Sequence, residues 1–304
     1  MNTYKQIVDI SDQVFAVPGD AQQTLNHCNL PAALLGSLQF QHHPTRLLLD
    51  GVHELHASLF TRLDTLDAAS QRAHYFMDYM VVQFRLHQLE DAGLEDGKDG
   101  KRSKADYLRL LRGWLFDPNG REAAVLKGWV ESRFGLLARF HQGPLHGAMD
   151  TNAGFNDRNG GNNKSGDNSD NKHYQAYLQL RAQGLLGTNA LEAQLDLLYS
   201  YCQYELARQY GSQQKIVLYR GIHHLNEYDV LKQVDKHHAV VLLNNLNSFS
   251  AKRERADEFG DQVLQVEIPW QKILYSSSLL PGVLAGEDEH LVIGGVYLVH
   301  ISLW

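Results

Sequence analysis

Two glutamates, Glu287 and Glu289, stand two residues apart just before a late apolar segment of the chain. In an extended strand the side chains alternate between faces, so both carboxylates would lie on one face, roughly 6–7 Å apart. Two carboxylates at that separation can serve two different partners at once, as a transfer between two substrates requires. The triplet Glu287, Asp288 and Glu289 is also typical of a solvated turn, and on local grounds this alternative stays open.

A second candidate group combines an arginine with two serines. Arg220 and Gly221 follow a predicted strand at residues 215–219, and Ser248 and Ser250 follow another at 239–243. An arginine at a strand end can hold a pyrophosphate through paired hydrogen bonds, and the glycine lets a flat ring approach the backbone. The serine hydroxyls can orient a carboxylate. The alternatives are a salt-bridged arginine with a turn glycine, and serines that form a turn or a helix cap.

Composition narrows the class of protein. The chain has 304 residues, 43% of them hydrophobic, which is enough for a large core, and a formal charge of −7. The negative charge argues against nucleic acid as the main partner. Its only cysteines, Cys28 and Cys202, exclude a disulfide framework and a thiolate metal cluster. His53 and His56 lack the spacing of the H-E-x-x-H zinc motif, so no metal is predicted.

We find no pattern typical of a targeting signal in this sequence. The N-terminus lacks the basic start and apolar centre of a signal peptide. No apolar segment approaches the roughly 20 residues that a membrane helix needs. We therefore expect a cytoplasmic protein without membrane insertion.

Three regions follow one another along the chain. Residues 1–150 are predicted to be helical, because apolar side chains recur every three or four residues, as at Phe76, Met80 and Phe84. Residues 151–172 are rich in Asn, Gly, Asp and Ser, and we expect them to form a flexible loop. Residues 173–304 begin with helices and continue as strands. The four tryptophans are interpreted as core or interface residues.

The predicted strands lie at 215–219, 239–243, 262–268, 272–275 and 290–301. Their spacing leaves little room for crossover helices, apart from a short helix at 253–259. This favours an α+β fold with a mainly antiparallel, strand-rich C-terminal part. No G-x-G-x-x-G motif follows a strand, so a dinucleotide would not bind here in the Rossmann manner.

The order of these motifs resembles a known signature. A strand-end Arg220, then Ser248-x-Ser250, then Glu287-x-Glu289 resembles the R-S-E pattern of arginine-specific mono-ADP-ribosyltransferases. Several longer segments resemble the dinitrogenase reductase ADP-ribosyltransferase family, namely 29–32, 76–80, 190–199, 244–246, 253–261 and 286–289. The resemblance covers nearly the whole chain except the segment rich in Asn and Gly. It implies a helical N-terminal region and an ADP-ribosyltransferase core of two packed, mainly antiparallel sheets.

The resemblance also implies roles for the candidate residues, with NAD as co-substrate. Arg220 would bind the NAD phosphates, and Gly221 would offer its backbone to the nicotinamide carboxamide. Ser248, with Ser250 beside it in the NAD site, would hydrogen-bond Glu289. That glutamate would bond the ribose 2′-hydroxyl and stabilise the oxocarbenium-like transition state. The remaining glutamate of the pair, Glu287, would orient the acceptor arginine and take its proton.

The partners are likewise expectations from the resemblance. Dinitrogenase reductase, the iron protein of nitrogenase, would be the protein substrate, and modification would inactivate nitrogenase. The helical region would dock this substrate or receive a PII-type nitrogen signal protein. Two alternatives stay open: an arginine-specific ADP-ribosyltransferase with another target, and a catalytically silent NAD-binding interaction module.

Overall fold

Helices form the first half of the protein, as the apolar spacing predicts. The computed structural model describes residues 15–86, 106–139, 167–185, 190–280 and 288–303. Within these ranges the α-helices are α1 (Ala32–Leu35), α2 (Leu38–His42), α3 (Val52–Leu55), α4 (Ala57–Leu63), α5 (Ala69–Phe84), α6 (Tyr107–Phe116), α7 (Arg121–Phe134), α8 (Asp167–Leu185), α9 (Leu191–Tyr210) and α10 (Arg253–Asp257). In the described part of the chain, no helix is long and apolar enough to cross a membrane.

The long helices pack through apolar faces and a buried ion pair. Helix α5 buries Phe76 and Met80, one turn apart, and the Phe76 ring stacks on Tyr201 of α9 with 4.0 Å between centroids. Arg72 of α5 makes a two-pronged salt bridge to Glu205 of α9, with distances of 2.6 and 2.9 Å. Both charged side chains are buried, so their pairing is what makes the contact tolerable.

Six strands among the described residues form one antiparallel sheet in the order β2-β3-β1-β4-β6-β5. They are β1 (Lys215–Ile222), β2 (Asp229–Gln233), β3 (His238–Ser250), β4 (Gln262–Pro269), β5 (Ile273–Ser276) and β6 (Glu289–Leu303). The long strand β6 pairs with β3 on one side and with β4 and β5 on the other. In contrast, β1 and β3 pair only at Tyr219 and Ser250, where the sheet opens.

The predicted α+β class with an antiparallel, strand-rich C-terminal part is confirmed. The expected pair of packed sheets is not seen as two separate units, since the hydrogen bonds link all six described strands. Residues 151–166 of the predicted loop lie outside the described residues, and α8 begins at Asp167, inside the segment predicted as a loop. The predicted boundaries 1–150, 151–172 and 173–304 stay a prediction.

A bulge in β3 joins the helices to the sheet. The pairing of β3 with β6 shifts register between Leu243 and Leu246, at Asn244 and Asn245. The amide nitrogen of Asn245 donates to the carbonyl oxygens of Lys127 and Leu136, at 2.9 and 3.1 Å. The side-chain donors of the bulge thus bond to the backbone of the helical part, and these bonds hold α7 against β3.

The apolar core is continuous between the two halves. One cluster of buried side chains runs from Val17 near the start of the described chain to Ile301 in β6. Lys272 lies fully inside it, and its Nζ donates to the carbonyl oxygens of Leu35 and Gly294 at 2.8 and 2.5 Å. The helices are therefore part of the folded unit that carries the strands.

Candidate active site

A cleft of about 480 Å³ opens where β1 and β3 separate. Its walls come from β1, β3, the start of β6, the short helix α10 and the helices α6 and α7. Five of the residues singled out in the sequence line it, namely Arg220, Gly221, Ser248, Ser250 and Glu289. A volume of this size falls in the range of small-molecule and cofactor sites.

Arg220 lies within β1 and bridges the opening to β3. The strand continues through Ile222 because residues 215–222 pair with β4, so Arg220 does not end the strand as predicted. Its Nη1 donates to the carbonyl oxygen of Ser248 at 2.8 Å, and its Nε donates to the Tyr228 hydroxyl at 3.3 Å. These bonds to neutral acceptors fix the guanidinium plane and leave its charge in the cleft.

Ser248 and Ser250 lie on β3, which is seven residues longer than predicted at this end. The Oγ of Ser248 accepts a hydrogen bond of 2.8 Å from the indole nitrogen of Trp114 on α6. Because an indole N–H only donates, the hydroxyl hydrogen of Ser248 stays available for an acceptor. The Oγ of Ser250 accepts from the backbone nitrogen of Lys252 at 3.0 Å, which supports the turn into α10.

Glu289 is the first residue of β6, directly opposite Ser250 of β3. Residues opposite one another in an antiparallel pair share a face, so its half-buried side chain lies beside that serine. Ser248 lies two residues before Ser250 on β3 and is opposite Leu291. Asp288 is exposed and pairs with Lys252 at 2.6 Å, and this bond lowers the pKa of the Asp288 carboxyl. Glu287 lies outside the described residues.

Gly221 lines the cleft, but its missing side chain makes room for a helix. A Cβ atom at this position would overlap the carbonyl oxygen of Ala256 in α10, and would come within 3.1 Å of Phe259. A close approach of β1 and α10 therefore requires glycine here. This packing places the side chain of Phe259 on the cleft wall, where it is two-thirds exposed.

Lys127 is a cleft residue that the sequence analysis did not single out. It lies on α7 and is 5% exposed, and its Nζ donates to the carbonyl oxygen of Pro118 at 2.9 Å. Burial, together with the charge of Arg220, lowers the pKa of Lys127 to about 8, and Asp117 acts in the opposite direction. Its position in an apolar helix is the one available signal, since buried lysines are rare.

Trp114 is the second cleft residue to which the sequence assigned no role in binding or catalysis. Its ring is buried, as expected for a core residue, while its nitrogen reaches Ser248 across the junction of α6 and β3. Phe116, at the end of the same helix, is 90% exposed on the cleft rim. The cleft therefore brings together fixed cations, a hydroxyl pair and a carboxylate, with an aromatic rim, which suits an anionic ligand that also contains flat rings.

Comparison with known proteins finds matches over most of the chain. The family model described as dinitrogenase reductase ADP-ribosyltransferase (DRAT) matches residues 25–156 and 163–301. The break between the two matches falls in the segment rich in Asn and Gly. The curated protein named NAD(+)--dinitrogen-reductase ADP-D-ribosyltransferase, from Rhodospirillum rubrum, is 36% identical over 288 residues, which cover 94% of this chain and 96% of the relative. No solved structure matches the chain significantly.

Proposed function

The chain belongs to the dinitrogenase reductase ADP-ribosyltransferase family, and from that premise we propose that it transfers ADP-ribose from NAD to an arginine of dinitrogenase reductase. The transfer releases nicotinamide and inactivates nitrogenase. The observation that carries the proposal is the meeting of Arg220, Ser248 and Glu289, from three different strands, in one cleft of a size that suits NAD.

Arg220 binds the pyrophosphate. Its Nη1 and Nε are held by Ser248 and Tyr228, so little side-chain freedom is lost when the ligand binds. Among the described residues no carboxylate lies within 4 Å of its guanidinium. A guanidinium offers the paired donors that phosphate oxygens accept.

Glu289 stabilises the charge that develops on the ribose. When the bond between ribose C1′ and the nicotinamide nitrogen breaks, nicotinamide leaves as a neutral molecule and positive charge moves to the ribose. A carboxylate that is already oriented lowers the energy of this state, an effect worth roughly a few kcal/mol per group. Ser248 orients Glu289 with the hydroxyl hydrogen that remains available when Trp114 donates to its oxygen. Ser250 orients Glu289 as its direct cross-strand neighbour.

The acceptor arginine needs a second carboxylate. A guanidinium is protonated at physiological pH, with a pKa above about 12, and is a poor nucleophile in that form. As its nitrogen bonds to C1′ and the bond from C1′ to nicotinamide breaks, one of its protons passes to Glu287, so the modified guanidinium keeps a single positive charge. The spacing of Glu287 and Glu289 is what suits the pair to this division of labour.

The test uses NAD labelled in its ADP-ribose part and purified dinitrogenase reductase. We expect label on one arginine of the reductase with the wild-type chain, and none with Glu289→Gln. A matched control is Glu267→Gln, since that glutamate lies away from the cleft and pairs with Lys215. Label on other proteins but not on the reductase would identify a different target, and NAD binding without any transfer would identify a silent module.

We also propose that the helical region docks dinitrogenase reductase or receives a PII-type signal protein. The support is that α6 and α7 form one wall of the cleft, so a protein on these helices sits beside the reacting atoms. Deleting the region would remove part of the shared core, so chemical cross-linking of the intact proteins is the better test. Cross-links confined to the sheet would contradict the proposal.

The reaction is further proposed to take place in the cytoplasm. Both cysteines are free and buried, which suits a reducing compartment. Cell fractionation with an antibody to the chain checks this assignment, and recovery outside the cytoplasmic fraction would contradict it.

A further inference from the structure

Lys127 brings a second positive charge into the cleft from the helical half of the protein. Its side chain is buried against α6, with Nζ 5.6 Å from the centroid of the Trp114 ring. The Nζ donates to Pro118 at 2.9 Å and reaches the side-chain oxygen of Asn119 at 3.5 Å. These contacts hold the ammonium group at one place on the wall, and they leave one of its three donors for a ligand.

The charges around the cleft single out Lys127 and Arg220. Apart from Glu289, the other charged residues that line it are paired, since Arg139 pairs with Asp229, Arg255 with Glu258, and Asp288 with Lys252 at 2.6–2.8 Å. Neither Lys127 nor Arg220 has a carboxylate within 4 Å in the part of the chain that the structure describes. Two cations in one cleft cost free energy in the unliganded protein, which Asp117 offsets only in part at Lys127, and a ligand with two negative charges offsets more of that cost.

We propose that Lys127 binds the pyrophosphate of NAD together with Arg220, from the opposite wall of the cleft. This inference rests on the proposed function in taking NAD as the ligand, and it adds a binding residue from the helical half. It also gives a reason for the shared core, because the two cations stay in register only if α7 and β1 are held in one folded unit. The alternative is that Lys127 only anchors the turn at Pro118 and Asn119.

The first test compares two ligands by calorimetry on the full chain. ADP-ribose carries the pyrophosphate, and adenosine lacks it. With Lys127→Met we expect the affinity for ADP-ribose to fall at least about tenfold, while the affinity for adenosine changes less than about twofold. The control Lys236→Met removes an exposed lysine of the turn before β3 and leaves both affinities unchanged. Equal losses for both ligands, or no loss for ADP-ribose, would overturn the proposal.

A second measurement needs only the wild-type protein. The charged groups acting on Lys127 are Arg220 of β1 and Asp117 of the turn after α6, and the resulting pKa of Lys127 is about 8. A bound dianion favours the charged amine, so binding of ADP-ribose at pH 8 takes up roughly half a proton. Titrations in two buffers with different ionisation enthalpies measure this uptake. Absence of uptake in the wild type would count against the proposal even if the variant did not fold.

The two proposals fail in different ways. A wild-type chain that binds ADP-ribose with proton uptake but never labels dinitrogenase reductase would refute the proposed function and leave the role of Lys127 standing. A Lys127→Met variant that labels the reductase with an unchanged KM for NAD would refute the role of Lys127 alone.

Discussion

At the scale of single residues, the roles proposed for Glu287 and Glu289 separate the activation of the acceptor from the breaking of the glycosidic bond. We expect Glu287→Gln to reduce transfer to arginine by about a hundredfold or more, the usual size of a lost general base. Hydrolysis of NAD should change less than about threefold, because an attacking water molecule does not need Glu287 to orient it. Parallel assays of labelled arginine and released nicotinamide measure the two rates.

Glu289→Gln is the matched comparison for this prediction. It removes the carboxylate beside the ribose, so transfer and hydrolysis should both disappear. Glu267→Gln, in an exposed ion pair with Lys215, should alter neither. Equal losses of transfer and hydrolysis in Glu287→Gln would show that the two glutamates do not divide the work.

The sequence identified cleft residues where a polar side chain follows a predicted strand or precedes one. Arg220, Ser248 and Glu289 carry unusual polar groups beside apolar segments, and all three line the cleft. Lys127 and Trp114 were not predicted to line the cleft, because their place in it depends on how α6 and α7 pack on β3. Local spacing shows only that such residues face the core, and not which strand they meet there.

At the scale of elements, helix α6 is tied to the cleft by one hydrogen bond. The indole of Trp114 donates to Ser248 and so directs the serine hydroxyl hydrogen away from the helix. A neutral hydrogen bond is worth about 0.5–1.5 kcal/mol, so we expect Trp114→Phe to lower kcat roughly three- to tenfold. The KM for NAD should change less, since the cations proposed to bind its phosphates remain.

A double-mutant cycle tests whether the effect passes through that bond. Ser248→Ala removes the acceptor, so adding Trp114→Phe to it should cost little more. Thermal unfolding of each variant shows whether the fold is retained. Fully additive effects on kcat would mean that Trp114 acts only as part of the core.

The elements themselves were predicted unevenly, for physical reasons. Helix α5 and strand β4 follow local apolar periods. The helical spacing of Phe76, Met80 and Phe84 lies within α5, and β4 ends one residue beyond its predicted bounds. Strand β3 was predicted to stop at residue 243, before Asn244 and Asn245. In the structure their side chains bond to the backbone of distant residues, which a local pattern does not reveal. Strand β2 has little apolar alternation and was missed.

At the scale of the whole molecule, Lys272 joins the helical half to the sheet. Its Nζ donates to the carbonyl oxygens of Leu35, the last residue of α1, and of Gly294 in β6, and lies 5.7 Å from the ring centroids of Phe40 and Tyr297. Complete burial lowers the pKa of Lys272 to about 7. The unfolded chain restores a pKa near 10.4, so unfolding takes up a proton between these two pH values.

The sign of the pH dependence follows from that difference. The penalty for the buried charge is complete below pH 7 and is relieved as the pH rises, so Lys272 stabilises the fold increasingly toward pH 10. Relative to Lys272→Met, the wild type should gain about 2 kcal/mol in free energy of unfolding between pH 7 and pH 9. Urea unfolding of both proteins at several pH values measures the gain.

The buried thiol of Cys202, whose pKa is raised by burial, acts in the opposite direction but equally in both proteins. Lys236→Met, at an exposed position, should run parallel to the wild type. Parallel curves for Lys272→Met as well would mean that Lys272 keeps its ordinary pKa at the junction.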